Sequence, residues 1–182
     1  MIKFDGLQHS ITCKRGTFEL NTDYRIWLQL PDRLRAVSDG DYEGYISLFA
    51  DDFPPISDDV IEEIVAFYNP PKELPRSEKK NGADIIDYIL DSDYIYAGFM
   101  QAYGIDLVDV EHLHWHKFLA LVEGLPEDTV MSSIIQFRSY DGKPSDPGYK
   151  EYMRLQYMWA LPTKMTEEEE KKMAEFEAYF GG

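Results

Sequence analysis

The chain has 182 residues, 34 of them acidic against 18 basic, giving a formal net charge of −16; that balance argues against binding to nucleic-acid phosphates or to anionic membranes. Apolar residues make up 44% and aromatic residues 14%, too many for a disordered chain, and the length suits one compact domain with an ordinary core. Cys13 is the sole cysteine, so no internal disulfide can form; with no apolar leader and no stretch of membrane-spanning length, the chain is expected to be soluble, unprocessed and intracellular.

Residues 7–20 read as a hairpin. Ile11 and Cys13 alternate with polar neighbours, Lys14-Arg15-Gly16 forms the turn, and Phe18 and Leu20 alternate again. A lone two-stranded hairpin is marginal in water, so one of its faces must pack on helices that follow. Asn21-Thr22-Asp23 then supplies an N-cap for a stripe of Tyr24, Trp27, Leu28, Leu34 and Val37, with a kink or break expected at Pro31. Ser38-Asp39-Gly40-Asp41 is a turn, and Tyr42 to Phe49 a short helix. Pro54-Pro55 is a stop before Ser57-Asp58-Asp59 caps a helix carrying Val60, Ile61, Ile64, Val65 and Tyr68. Residues 69–82 hold three prolines and several cations with no periodicity, the pattern of an exposed, mobile linker.

The stretch that organises the rest runs from Asp84 to Tyr140. Asp91-Ser92-Asp93 offers side-chain oxygens to a first helical turn, and Gly104 supplies a left-handed exit after Tyr103. Tyr96, Phe99, Met100 and Tyr103 form a stripe that Ile95 and Ala102 widen, so the helix is expected to be surrounded. Leu113 to Leu125 repeats the logic with Trp115, Phe118, Leu119 and Val122, stopping at Gly124. The short connection between the two makes them packing partners. Pro126-Glu127-Asp128-Thr129 starts a helix with Val130, Met131, Ile134 and Ile135 on one side. Asp146-Pro147 starts another, bearing Tyr149, Tyr152, Met153, Tyr157 and Trp159. Thr166 to Glu169 is a capping box for a last, acidic helix within 162–182 carrying Met173, Phe176, Tyr179 and Phe180. The expected fold is therefore mainly α, one helical domain of about six to eight helices over residues 1–161 behind a small N-terminal β-hairpin.

The run from Asp93-Tyr94-Ile95-Tyr96-Ala97 through Gln101-Ala102-Tyr103-Gly104-Ile105-Asp106-Leu107, then Leu113-His114-Trp115, then Leu121 to Thr129, resembles the bacteriophage Gp-fifteen family. An Asn21 to Trp27 segment extends the likeness toward the N-terminus. The resemblance implies a small protein encoded among the tail genes of long-tailed phages, similar in gene position and size to tail assembly chaperones. The words that carry it are structural rather than catalytic.

Candidate chemistry is sparse. His112 and His116 would fall at i and i+4 on a helix, a spacing that lets two imidazoles meet one metal. Leu113 stands where a zinc protease needs glutamate, however, and surface or half-buried histidines are the preferred reading. Adjacent acids such as Asp58-Asp59 and Glu127-Asp128, and Glu167 in the last helix, read as caps and dipole partners rather than as a catalytic pair. Cys13, with only His9 near it on the hairpin, reads as a small buried residue. No phosphate loop, nucleophile elbow, dinucleotide fingerprint or calcium loop is present, so no catalytic residue, metal or cofactor is assigned.

Aromatic residues outside the central pair, Tyr152, Tyr157 and Trp159 together with Phe176, Tyr179 and Phe180, are the candidate partner-binding set. The resemblance implies the partner: the tape measure protein or another tail protein, met in the cytoplasm of the bacterial host, with homo-oligomers permitted. An acidic body that covers an apolar helical seam would hold such a client in solution. The alternatives are a minor tail or connector subunit retained in the virion, and a hydrolase built on His112 and His116.

Overall fold

The computed structural model describes residues 6–69 and 85–162. Strands β1 (Ser10–Cys13) and β2 (Gly16–Glu19) form an antiparallel hairpin in which Ile11 faces Phe18 and Cys13 faces Gly16. Helices α1 (Tyr24–Trp27), α2 (Leu30–Ser38), α3 (Glu43–Ile46) and α4 (Asp58–Tyr68) precede the expected linker. They are followed by α5 (Ser92–Tyr103), α6 (Trp115–Glu123), α7 (Val130–Arg138) and α8 (Tyr149–Met158). The protein is mainly α with a small N-terminal hairpin. The linker at 69–82 and the acidic helix within 162–182 lie outside the described residues, apart from Asn69 and Pro162.

Local chemistry accounts for most element ends. The Asp23 carboxylate accepts the Arg25 amide at 3.0 Å and caps α1. Pro31 sits in the first turn of α2, where its missing N–H costs nothing, so the break near it falls between two helices. Thr129 caps α7 by accepting the Ser132 amide. Gly104 ends α5 at φ +64°, the left-handed exit read from the sequence.

Three readings of helix ends are corrected. Asp91 occupies the N-cap position of α5 without capping it, because its carboxylate is taken up elsewhere. Ser57 likewise makes no side-chain cap for α4, and the Asp59 carboxylate instead accepts the Lys14 amide in the hairpin turn at 3.0 Å. Pro147 lies in a turn before α8, whose cap position belongs to Gly148 at φ +78°.

The core is organised around Phe118. Its ring stacks on Tyr24, Phe99 and Trp115 with centroids 4.7, 5.5 and 5.7 Å away, and Tyr88 meets it edge-on. Tyr68 stacks on Trp115, so α1, α4, α5 and α6 share one set of rings. The buried indoles are satisfied: Trp27 donates to the Asn21 carbonyl and Trp115 to the Tyr68 carbonyl. The hairpin covers this core from one side, with Ile11 and Leu20 buried and Cys13 half-buried against it.

The central helix is not surrounded. Ile95, Gly98 and Phe99 are its buried residues, whereas Met100 is exposed. Gly98 lies on the buried side: a Cβ there would stand 3.1 and 3.2 Å from the two methyls of buried Leu125, close enough that Leu125 would have to shift by a few tenths of an ångström. Val130 of α7 is also exposed, leaving Met131, Ile134 and Ile135 as that helix's buried side.

A buried ion pair holds the far side together. Arg138, at the end of α7, donates to both oxygens of Asp91 at 2.6 and 2.9 Å, to the Ile85 carbonyl at 2.9 Å and to the Trp159 carbonyl at 2.6 Å. The Asp91 carboxylate also accepts the Asp87 amide. Side-chain exposure is 9% for Arg138 and 2% for Asp91, so neither charge can turn to water if the other is lost.

Two outcomes follow from this packing. Arg138→Ala or Asp91→Ala lowers unfolding free energy by about 3 to 5 kcal/mol, measured by urea titration, because each leaves an uncompensated buried charge. Gly98→Ala lowers it by about 1 kcal/mol, since crowding of Leu125 exceeds the gain in helix propensity; a rise in stability would refute the close-approach argument.

Candidate docking face

All four histidines gather where the hairpin's lead-in, α1 and α6 meet, and their geometry bears directly on the metal reading. Residues 22–24 and 113–115 pair as extended backbone: the Trp115 amide donates to the Thr22 carbonyl at 2.8 Å and the Tyr24 amide to the Leu113 carbonyl at 2.9 Å. Helix α6 therefore begins at Trp115, with His114 as its cap. His112 lies outside the helix, so the i, i+4 spacing with His116 has no meaning in the fold. His112 Nε2 is 3.2 Å from the Thr22 hydroxyl, and His116 Nε2 donates to the Phe67 carbonyl at 2.7 Å. Among the described residues no three His, Cys, Asp or Glu side chains converge as a metal site.

His114 is a structural residue of unusual exactness in its hydrogen bonding. Nδ1 accepts the His116 amide at 3.1 Å, so the proton sits on Nε2, which donates to the Gln8 carbonyl at 2.9 Å. The residue is 2% exposed, and burial first, then the neighbouring His116, His9 and His112, push its pKa down to about 4. Sequence reasoning had the residue type and missed its job. The backbone pairing that makes it a cap joins segments some ninety positions apart, as the bond from the Leu113 amide to Asp23 also shows.

The other candidate set points to the opposite part of the molecule. Helix α8 has no buried residue. Its inner side rests on α7: Tyr152 stacks on Tyr140 with centroids 4.6 Å apart, and Gln156 donates to the carbonyls of Arg138 and Tyr140. Trp159 is half-buried, its ring edge-on to Tyr94 at 5.4 Å and its carbonyl bound to Arg138. Tyr152 and Trp159 are thus engaged within the domain. Tyr157 is not: it is 87% exposed, next to Met158 at 55%, with Met153 one turn earlier also in solvent. Phe176, Tyr179 and Phe180 lie outside the described residues.

Ile89 and Leu90 are a second pair of exposed apolar residues. Both are exposed, in the turn before α5, which the Asp87 carboxylate closes by accepting both their amides at 3.0 Å. Leu90 adjoins Asp91 and Met158 adjoins Trp159, so the two exposed apolar pairs flank groups bound to one guanidinium, that of Arg138. The sequence carried no signal for Ile89 and Leu90. Lys150 and Arg154 stand one turn apart on α8 beside the apolar residues, Arg154 in an exposed ion pair with Glu151.

The model of the family described as Bacteriophage Gp15 protein matches residues 5–161. The chain belongs to that family. No curated protein and no solved structure matches it. The match takes in every described helix and stops three residues beyond α8, so the face around Arg138 is part of the Gp15 domain itself. Membership suggests a role in tail assembly. No helix among the described residues is long and apolar enough to cross a membrane.

Acid sensitivity checks the account of His114. Its folded pKa lies below the value of about 6.5 for a free imidazole, so between pH 6.5 and 4 the unfolded chain binds the extra proton. The stability it contributes is complete above pH 6.5 and declines as pH falls, by roughly 2 kcal/mol at pH 5. Thermal unfolding followed across that range should show the decline, and His114→Asn, which retains an oxygen for the cap, should flatten it from a lower starting stability.

Proposed function

We propose that this Gp15-family chain is a tail assembly chaperone that binds the tape measure protein and keeps it soluble in the host cytoplasm until the tail tube forms around it. The observation that carries the reading is α8: a helix with no buried residue, holding Met153, Tyr157 and Met158 in solvent on a domain whose core is complete without them. Exposed aromatic and methionine side chains on a rigid helix suit an apolar helical seam, the aromatic ring giving contact area and the thioethers adapting to imperfect fit.

Charge supports the same reading. With a net charge of −16, a protein seated on an aggregation-prone helix makes the complex repel its own kind. The bases Lys150 and Arg154 beside the apolar residues favour acidic positions flanking the seam.

Co-expression with the long helical reading frame of the same gene cluster tests this. The chain should move that protein into the soluble fraction, and Tyr157→Asp with Met158→Asp should abolish the effect while leaving the chaperone's own Tm within a degree or two, as expected of exposed positions. Purified virions should lack the protein by mass analysis; a fixed copy number there would favour a minor tail or connector subunit instead.

A further inference from the structure

We propose that the groove between α2 and α3 is a second docking site, which takes a basic segment of another polypeptide. A lysine or arginine side chain of that partner enters between Asp32, Asp41 and Glu43, and an apolar neighbour rests on Tyr42 and Ile46. The site is separate from α8 and independent of the chaperone reading. The groove is open to solvent and measures about 460 Å³, within the roughly 300 to 1,000 Å³ of ligand clefts. Helix α3 lies close against α2 at Gly44, where a Cβ would stand 2.9 Å from Cγ and 3.3 Å from Cα of Arg33.

Arg33 lines the groove but is spent on the fold. Its Nε donates to the Ile26 carbonyl at 3.2 Å, and its two terminal nitrogens donate to the Ser47 hydroxyl at 2.6 Å and to the Gln29 side-chain oxygen at 3.1 Å. The fork therefore serves a carbonyl and neutral side chains rather than the three carboxylates. Asp32 meets Arg35 at 3.4 Å in an exposed ion pair, a contact of little strength that an incoming cation can share. From Ala36 to Asn69 the chain has no Lys, Arg or His, while Asp and Glu recur throughout, so α3 and its flanks attract positive charge.

The lining selects the occupant. Among the described residues no three acidic, histidine or cysteine side chains converge to hold a metal ion, so these carboxylates suit a cation carried on a long apolar stem, as in Lys and Arg. Tyr42 and Ile46, one turn apart on either side of Glu43 in sequence, are both exposed. A small free cation gains nothing from them, whereas a peptide with an apolar residue next to its base covers them as it places the charge. The α8 face, with Lys150 and Arg154, favours the opposite sign, so the two surfaces call for different partners.

A fluorescein-labelled helical peptide in which lysine and leucine recur one turn apart tests the site by anisotropy with the full-length chain. Amide shifts on binding should concentrate at residues 42–47. Asp32→Asn with Glu43→Gln should weaken binding about tenfold, and Tyr42→Ser with Ile46→Ser by a similar factor, at a Tm within a degree or two of the parent. Glu127→Gln with Asp128→Asn, the same change of charge at the exposed start of α7, should leave binding unchanged, as should Tyr157→Asp with Met158→Asp. Equal loss from both acid pairs, or equal affinity for a peptide with serine in place of leucine, would overturn the proposal by reducing the surface to net charge alone. Self-association of the peptide-free chain that Asp32→Asn with Glu43→Gln abolishes, measured by sedimentation, would give the groove to a second copy and overturn it as well.

Discussion

A single guanidinium sets the geometry of the half of this protein that faces its proposed partner. Arg138 reaches the turn before α5 through Ile85, the start of α5 through Asp91 and the end of α8 through Trp159. A planar fork with five N–H groups is the one side chain that can meet a carboxylate at two points and two carbonyls besides. A lysine, with one rotating ammonium, would satisfy some of these groups and leave the others buried without partners. The cost of desolvating both charges means that the pair need not raise stability above that of an apolar substitute, and its contribution is specificity: it admits one arrangement of three segments.

The other half depends on rings and on backbone. Phe118 is touched by Trp115 of its own helix and by three aromatic side chains from separate parts of the chain, and the strand-like pairing of residues 22–24 with 113–115 locks α1 against the start of α6. His114 closes the arrangement by serving as helix cap and as a donor to Gln8 at once. The same burial that makes it useful opposes its protonation. Clustered histidines here are a structural device, and their hydrogen-bond geometry, rather than their number, is what separates them from a metal centre.

The exposed side of α8 follows from these two constraints together. Because α8 is fastened through backbone carbonyls and through Tyr152 and Gln156 on its inner side, its outer side packs on nothing among the described residues. Apolar residues there would weaken a protein with no partner, by inviting association. Their presence at Met153, Tyr157 and Met158 is the observation from which the proposed chaperone role is argued.

Much of this was written locally and could be read so. Helical period, the caps at Asp23 and Thr129, the exit at Gly104 and the apolar register of α6 are contacts between residues a few positions apart, and side-chain chemistry at such range does not wait for a fold. The acidic balance and the Gp15-family words of α5 and α6 were legible in the same way. Tertiary structure decided the rest. It drew Asp91 away from its cap toward an arginine 47 positions later, turned α5 so that Gly98 rather than Met100 faces inward, took His112 out of helical register with His116, and divided the aromatic residues of α8 into engaged and exposed. Each of these turns on a partner distant in sequence. Short-range pattern says which groups need satisfying, but only close packing of the whole chain says which partner satisfies them.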